Sequence, residues 1–227
     1  TLKNYLLILV YPLIFMELLF PGVLSLSSSV SSRTQIIPIA RVINSQMEAV
    51  SWLAGRGEDP SINLFMVFPS LGVSKRVGFI RGFPVVKGAV DISQRTAVGV
   101  SFYPGRWNDD NLLVFSPEAT FSVGNNRRHY LLLGFVHLCG PDDFEYKAQF
   151  ITLLQVLKMF CCNVIWGVRV EDISCETWVA EPDKFRQTVV TLLIGTSLCS
   201  GKYVKYGLEG SISGQFVDLK LTLGFKI

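Results

Sequence analysis

The chain alternates apolar and polar residues in long stretches, most regularly at its end. Val217, Leu219, Leu221, Leu223, Phe225 and Ile227 alternate with Asp218, Lys220, Thr222, Gly224 and Lys226. Successive side chains of a strand point to opposite faces, so this segment has one apolar and one polar face. The same period recurs upstream. Val98, Val100 and Phe102 oppose Ala97, Gly99 and Ser101, while Leu113, Phe115, Ala119, Phe121 and Val123 oppose Ser116, Glu118, Thr120 and Ser122. Phe144, Tyr146, Ala148 and Phe150 oppose Glu145, Lys147 and Gln149. Val164, Trp166, Val168 and Val170 oppose Asn163, Gly167, Arg169 and Glu171, and Val204, Tyr206 and Leu208 oppose Lys205, Gly207 and Glu209. Residues 85–92 and 185–198 read as further strands, and 130–138 is apolar on both faces. Pro104 with Gly105, residues 107–111, Gly124 with the asparagines after it, residues 139–143 and Ser213 with Gly214 supply turn signals.

Two stretches read differently. Ile39, Val42, Ile43, Met47 and Val50 follow a helical spacing that residues 55–60 stop, and residues 153–160 admit a helix. Strands do not alternate with helices, which disfavours a nucleotide-binding α/β fold. The pattern predicts an all-β protein: an antiparallel barrel, or a jelly-roll sandwich, of about eight to ten strands with an N-terminal apolar segment and one short helix.

The first residues obey another rule. Lys3 precedes an apolar run over residues 5–16, then Glu17, a second apolar run and a serine-rich stretch up to Ser32. A basic start, an apolar block and small residues match a secretory signal, while tolerance of Glu17, Pro12 and Pro21 would make residues 5–26 a retained anchor; a buried arm is the third reading. The chain divides into 1–26 as signal or membrane anchor, 27–60 as linker and short helix, and 61–227 as the β-domain.

Composition narrows the partners. Of the 227 residues 49% are hydrophobic and only 17% charged, with mean hydropathy +0.39, which is apolar for a protein in water. A net charge of +3, with Lys and Arg scattered, gives no ground for a nucleic-acid contact. Cys139, Cys161, Cys162, Cys175 and Cys199 form no Cys-x-x-Cys, and two histidines offer no metal-ligand spacing, so no metal and no cofactor are expected. Cys161 and Cys162 would place one thiol on each face of a strand.

Candidate chemistry is sparse. His129 and His137 share a face if strand-borne, and Ser122 and Glu118 lie on the preceding strand, so a Ser-His-Glu arrangement is conceivable; the plainer reading makes them lumen or interface polar groups. Asp142 and Asp143 could meet a cation, and Gly55, Arg56 and Gly57 a phosphate, but each also reads as an ordinary loop. Trp52, Trp107, Trp166 and Trp178 could belong to an interfacial aromatic belt. None of these groups is assigned as a catalytic, cofactor-binding or metal site.

Glycines recur on the polar side of the strands, at Gly99, Gly167, Gly207 and Gly224, where a narrow barrel needs room for lumen side chains. With the alternating terminal strand and an export-like start, residues 61–227 resemble the small bacterial outer-membrane β-barrels. That resemblance implies a non-enzymatic membrane barrel with a structural or small-pore role, and as partners a lipid bilayer or neighbouring subunits, including further copies of the chain. A second stretch, Phe79 to Phe83 with its Arg81 and Gly82, then residues 90–93, then Val98 to Pro104 and Gly105, is similar to picorna-like virus capsid proteins. It implies a jelly-roll structural protein of a virion. A signal-anchored extracytoplasmic β-sandwich that binds a partner is the third alternative.

Overall fold

A computed structural model describes residues 33–50, 53, 61–75, 78–107, 110–124, 128–139, 144–159, 162–177, 183–200, 203–214 and 216–226. Helix α1 (Arg33–Met47) is followed by β1 (Ile62–Val67), β2 (Leu71–Ser74), β3 (Gly78–Arg81), β4 (Val85–Asp91), β5 (Thr96–Trp107) and β6 (Asp110–Val123). Then come β7 (His129–Cys139), β8 (Phe144–Met159), β9 (Cys162–Thr177), β10 (Asp183–Ser200), β11 (Val204–Ser213) and β12 (Phe216–Lys226). From β4 to β12 each strand pairs antiparallel with the next, and β1 pairs with both β4 and β12. Ten strands therefore close a ring, and closure removes the unpaired edges that a sheet would otherwise expose.

The remaining two strands prolong one seam. β2 continues β1 along the edge of β12, and β3 pairs with β2. Phe68 N–H still donates to Leu221 O at 2.9 Å, but β2 resumes its pairing with β12 one residue out of step. Pro69 sits in this bulge, where a residue without an N–H does no harm to a ladder. The upper rim carries the β11–β12 turn; the lower rim carries the start of β1 and the end of β12.

The terminal alternation resolves as a wall with an apolar outer face and a polar inner one. Val217, Leu219 and Leu221 are exposed on the outside, whereas Phe216, Asp218, Lys220 and Thr222 are buried inside. Leu221 is 56% exposed in a regular strand. Val190, Leu192, Ile194 and Leu198 on β10, Val168 and Val170 on β9, and Leu133 and Phe135 on β7 continue the apolar exterior. Along β10 this band covers roughly 27 Å of strand, or about 21 Å of height at a 40° tilt, close to the apolar band of a membrane barrel. An exposed apolar belt of this extent is not stable against water. Above it, towards the upper rim, β8–β10 turn outward-polar: Lys184 meets Glu176 at 2.8 Å, and Arg186 pairs with Asp172. Residues 145–150 of β8 thus carry the reverse of the sense seen in β12. Tyr146, Ala148 and Phe150 point inward, while Glu145, Lys147 and Gln149 do not.

Three expectations need correction. Residues 153–159 belong to β8, because Leu154 and Val156 pack inside while Leu153 and Leu157 face out. Pro104 and Gly105 do not turn: β5 runs through them to Trp107, with Pro104 paired to Leu113. The jelly-roll alternative fails because the strands form one closed meander rather than two facing sheets. No described helix is long and apolar enough to cross a membrane, a statement that does not concern strands.

Candidate functional site

The lumen is the candidate site, and α1 occupies it. The middle of the helix stands at the upper rim, where the Arg41 guanidinium donates to Ser213 O on the β11–β12 turn. Further down, Val50 N–H donates to Glu209 Oε1 at 3.0 Å inside the wall. The chain reaches the lower rim at Ser61, whose hydroxyl donates to Asp91 Oδ2 at 2.7 Å near the β4–β5 turn. The polypeptide therefore threads its own barrel from upper to lower rim before β1 begins.

Threading explains the composition of the helix. Val42, Ile43, Asn44, Ser45, Gln46, Met47 and Glu48 are all buried in succession. A helix on a surface buries one stripe, but one surrounded by wall buries every side. Each polar residue meets a different sector. Asn44 Nδ2 donates to Glu171 Oε2 at 2.9 Å on β9, and the Tyr146 hydroxyl on β8 donates to Asn44 Oδ1. Ser45 Oγ donates to Asp218 on β12. Gln46 Nε2 donates to Phe68 O at 2.8 Å while its Oε1 accepts from Ser70 N–H at 2.9 Å. Gln46 thereby satisfies the two backbone groups that the bulge at Pro69 removes from the ladder. Gly82 is required opposite it, since a Cβ there would lie 2.4 Å from Gln46 Oε1 and 2.9 Å from Ser70 N.

Three layers stack down the lumen. Near the upper rim Ala40, Ile43 and Met47 pack with Phe83, Val114 and Val136. Near the lower rim Val50 and Leu53 pack with Phe65, Tyr130, Leu132 and Ile165. Between these apolar seals lies a belt of charge. Glu48 pairs with Arg169, and Thr152 Oγ1 donates to it at 2.9 Å. Arg169 Nε lies 3.1 Å from Glu171 Oε2, and the guanidinium stands 5.9 Å from the Phe150 ring centre. Lys220 donates to Ser45 O and Glu48 O and lies 3.5 Å from Glu209. Lys87 donates to Ala49 O at 2.9 Å and pairs with Glu118 at 2.6 Å. Lys87 and Lys220 thus hold backbone carbonyls at and just beyond the end of α1, where the last C=O groups lack helical partners.

The sequence-predicted groups come apart. Ser122 and Glu118 face the lumen, since Ser122 Oγ and both Glu118 carboxylate oxygens are buried. His129 and His137 do share a face, but it is the outer one: His137 stands edge-on to Phe115 at 5.5 Å, and His129 is exposed opposite Val123. The wall separates hydroxyl and acid from both imidazoles, so no Ser-His-Glu arrangement forms. Trp166 is exposed on the exterior, but opposite Ile194 in the middle of the apolar band rather than at its edge. Asp142, Asp143, Gly55, Arg56, Gly57, Trp52 and Trp178 lie outside the described residues. Cys175 is buried, Cys162 half-buried and Cys139 exposed, all three as free thiols. Among the described residues no three His, Cys, Asp or Glu side chains are grouped to hold a metal.

Sequence reasoning did not single out Glu48, Asn44, Arg169, Glu171 or Lys220. The one available signal was the polar run Asn44, Ser45, Gln46 inside an otherwise apolar helical period; no period could say that a wall surrounds it.

No protein-family model matches the chain, and no curated protein matches it. Solved structures do. The translocator domain of the autotransporter NalP from Neisseria meningitidis superimposes with a TM-score of 0.51 at 12% identity, covering 85% of this chain and 96% of that one. The outer membrane protease OmpT from Escherichia coli gives 0.42 at 11% identity, covering 73% and 96%. Ail, the attachment invasion locus protein of Yersinia pestis, gives 0.33 at 11%, covering 74% and 97%. At such identities the likeness is one of fold, and the fold is that of the bacterial outer-membrane β-barrels.

Proposed function

We propose that this chain is a closed, non-enzymatic outer-membrane barrel. Its own N-terminal helix is a resident plug, and its role is to anchor and present the segment before Arg33 at the upper rim rather than to conduct. The observation that carries this reading is the unbroken burial of residues 42–48 between two apolar seals, with Glu48 and Arg169 paired in the lumen. An open small pore would need that volume for water. The apolar exterior supports the bilayer as surroundings. The NalP domain is an autotransporter's translocator domain, which is in keeping with a barrel that holds its own chain in the lumen.

The test has two arms. Membranes are washed with carbonate and the protein run on gels with and without boiling; recovery in the pellet with heat-modifiable mobility is expected. The purified protein is then inserted in planar bilayers, where near-silent records are expected. A soluble, non-heat-modifiable protein sinks the membrane reading, and steady large conductance from the intact chain sinks the plug.

A further inference from the structure

Val67↔Val85 and Leu71↔Arg81 stand in one register. β1 with β2, and β3 with β4, therefore form a single long hairpin, interrupted over residues 68–70 and 82–84. Its sequence explains the interruption. Carried one residue past Val67↔Val85, the register sets Phe68 opposite Pro84, which has no N–H to give to the Phe68 carbonyl. Two residues on, Gly82 N–H donates to Ser70 O at 2.8 Å, whereas Ser70 N–H donates to Gln46 Oε1 at 2.9 Å. Gln46 Nε2 donates to Phe68 O at 2.8 Å. One side-chain amide of the plug, fully buried, thus does what a peptide group of a strand would do at this point of the ladder.

Beyond the interruption lies the hairpin tip, β2 and β3. Among the described residues β2 meets β12 over four pairs, from Leu71↔Leu219 to Ser74↔Phe216, and β3 meets β2 over four, against sixteen between β9 and β10. Leu71, Val73 and Phe79 are more than half exposed, so their packing adds little hold. We propose that Gln46 couples the tip to the plug: β2 and β3 keep their order only while α1 is seated, and withdrawal of the helix loosens this part of the upper rim. This rests on the plugged-barrel reading. The physical reason is that Phe68 O and Ser70 N–H would lose their partner inside a wall closed off from water, and Pro84 cannot replace it at Phe68. Coupling of this kind is reciprocal, so an ordered tip also favours the seated helix.

Amide hydrogen exchange on the full chain in lipid nanodiscs reads both elements. Arg169→Met loosens the plug from β9, where the guanidinium meets Glu48, Glu171 and the Phe150 ring, not β2 or β3. In this variant α1, β2 and β3 should exchange faster together, β2 and β3 on the order of tenfold or more. Gln46→Leu should loosen β2 and β3 to a similar degree, with β8 and β9 unchanged. In Gln46→Leu/Arg169→Met, β2 and β3 should exchange no faster than in Gln46→Leu alone, because the link is already cut. Glu48→Gln and Gln46→Ala serve where either variant fails to insert. Unchanged β2 and β3 in Arg169→Met, while α1 loses protection, overturn the proposal. So do additive effects in the double variant, which would make the loosening general. Failure of the plug itself reads differently, as unprotected amides at Asn44 to Glu48 in the unaltered chain.

Discussion

Removing the Arg169 guanidinium is the most informative single perturbation of the lumen. Arg169 is 2% exposed and pairs with Glu48 on the plug and Glu171 on the wall. Arg169→Met keeps the length and the contact with Phe150 but leaves two carboxylates buried without their cation. Breaking a buried pair from one side costs about 3–5 kcal/mol, because the orphaned charge stays desolvated. At 1.4 kcal/mol per decade, this multiplies the plug-released or unfolded fraction roughly a hundred- to several-thousand-fold. Urea titration in micelles, read by gel mobility without boiling, measures the loss of stability, and planar-bilayer recording detects released plugs as new conductance. The double variant E48Q/R169M neutralises one of the two orphaned carboxylates and should recover about half of the loss. A single variant within about 1 kcal/mol of the wild type, and equally silent in bilayers, would refute the reasoning, since no buried pair at the centre of a sealed lumen could be so cheap.

Other consequences can be checked alongside. Gly224→Ala would place a Cβ 2.1 Å from the Phe65 ring, so thermal unfolding should drop by at least the 1–3 kcal/mol typical of overpacking; Phe65→Leu in the same chain should return part of it. Leu221→Asp puts a charge on the lipid face, and membrane-inserted yield should fall by an amount on the order of 2 kcal/mol, while Thr222→Ser on the lumen side stays near wild type. His129→Ala, on the exposed outer face, should leave the urea midpoint within about 0.5 kcal/mol of wild type; a larger shift would mean that the histidine faces inward.

The strands were legible wherever one face meets lipid and the other meets polar lumen. β12 and β11 show that contrast along nearly their whole length, β9 from Trp166 to Glu171 and β6 from Phe115 to Val123, so the two faces followed from period two. The pattern misled where the surroundings change along one strand. β8 passes from lipid to the space above it, and its outward side changes from Ile151 and Leu153 to Lys147 and Glu145; the blurred period near Leu153 then imitated a helix. Pro104 and Gly105 read as a turn because only the neighbouring ladder, whose last pair is Val86 with Phe102, shows that a donor is not needed at Pro104. The site was hidden for a different reason. Glu48, Arg169 and Lys220 lie far apart in sequence, and their meeting depends on the helix entering the ring, which no local spacing encodes.

The central claim is that α1 lies inside the barrel of its own chain. A photo-crosslinking residue in place of Asn44, in protein reconstituted in bilayers at low density, tests this most directly. Mass spectrometry should find intramolecular adducts on β8 and β9 around Tyr146 and Glu171, in a yield independent of protein concentration. Adducts only to lipid, or only to a second molecule, would contradict it.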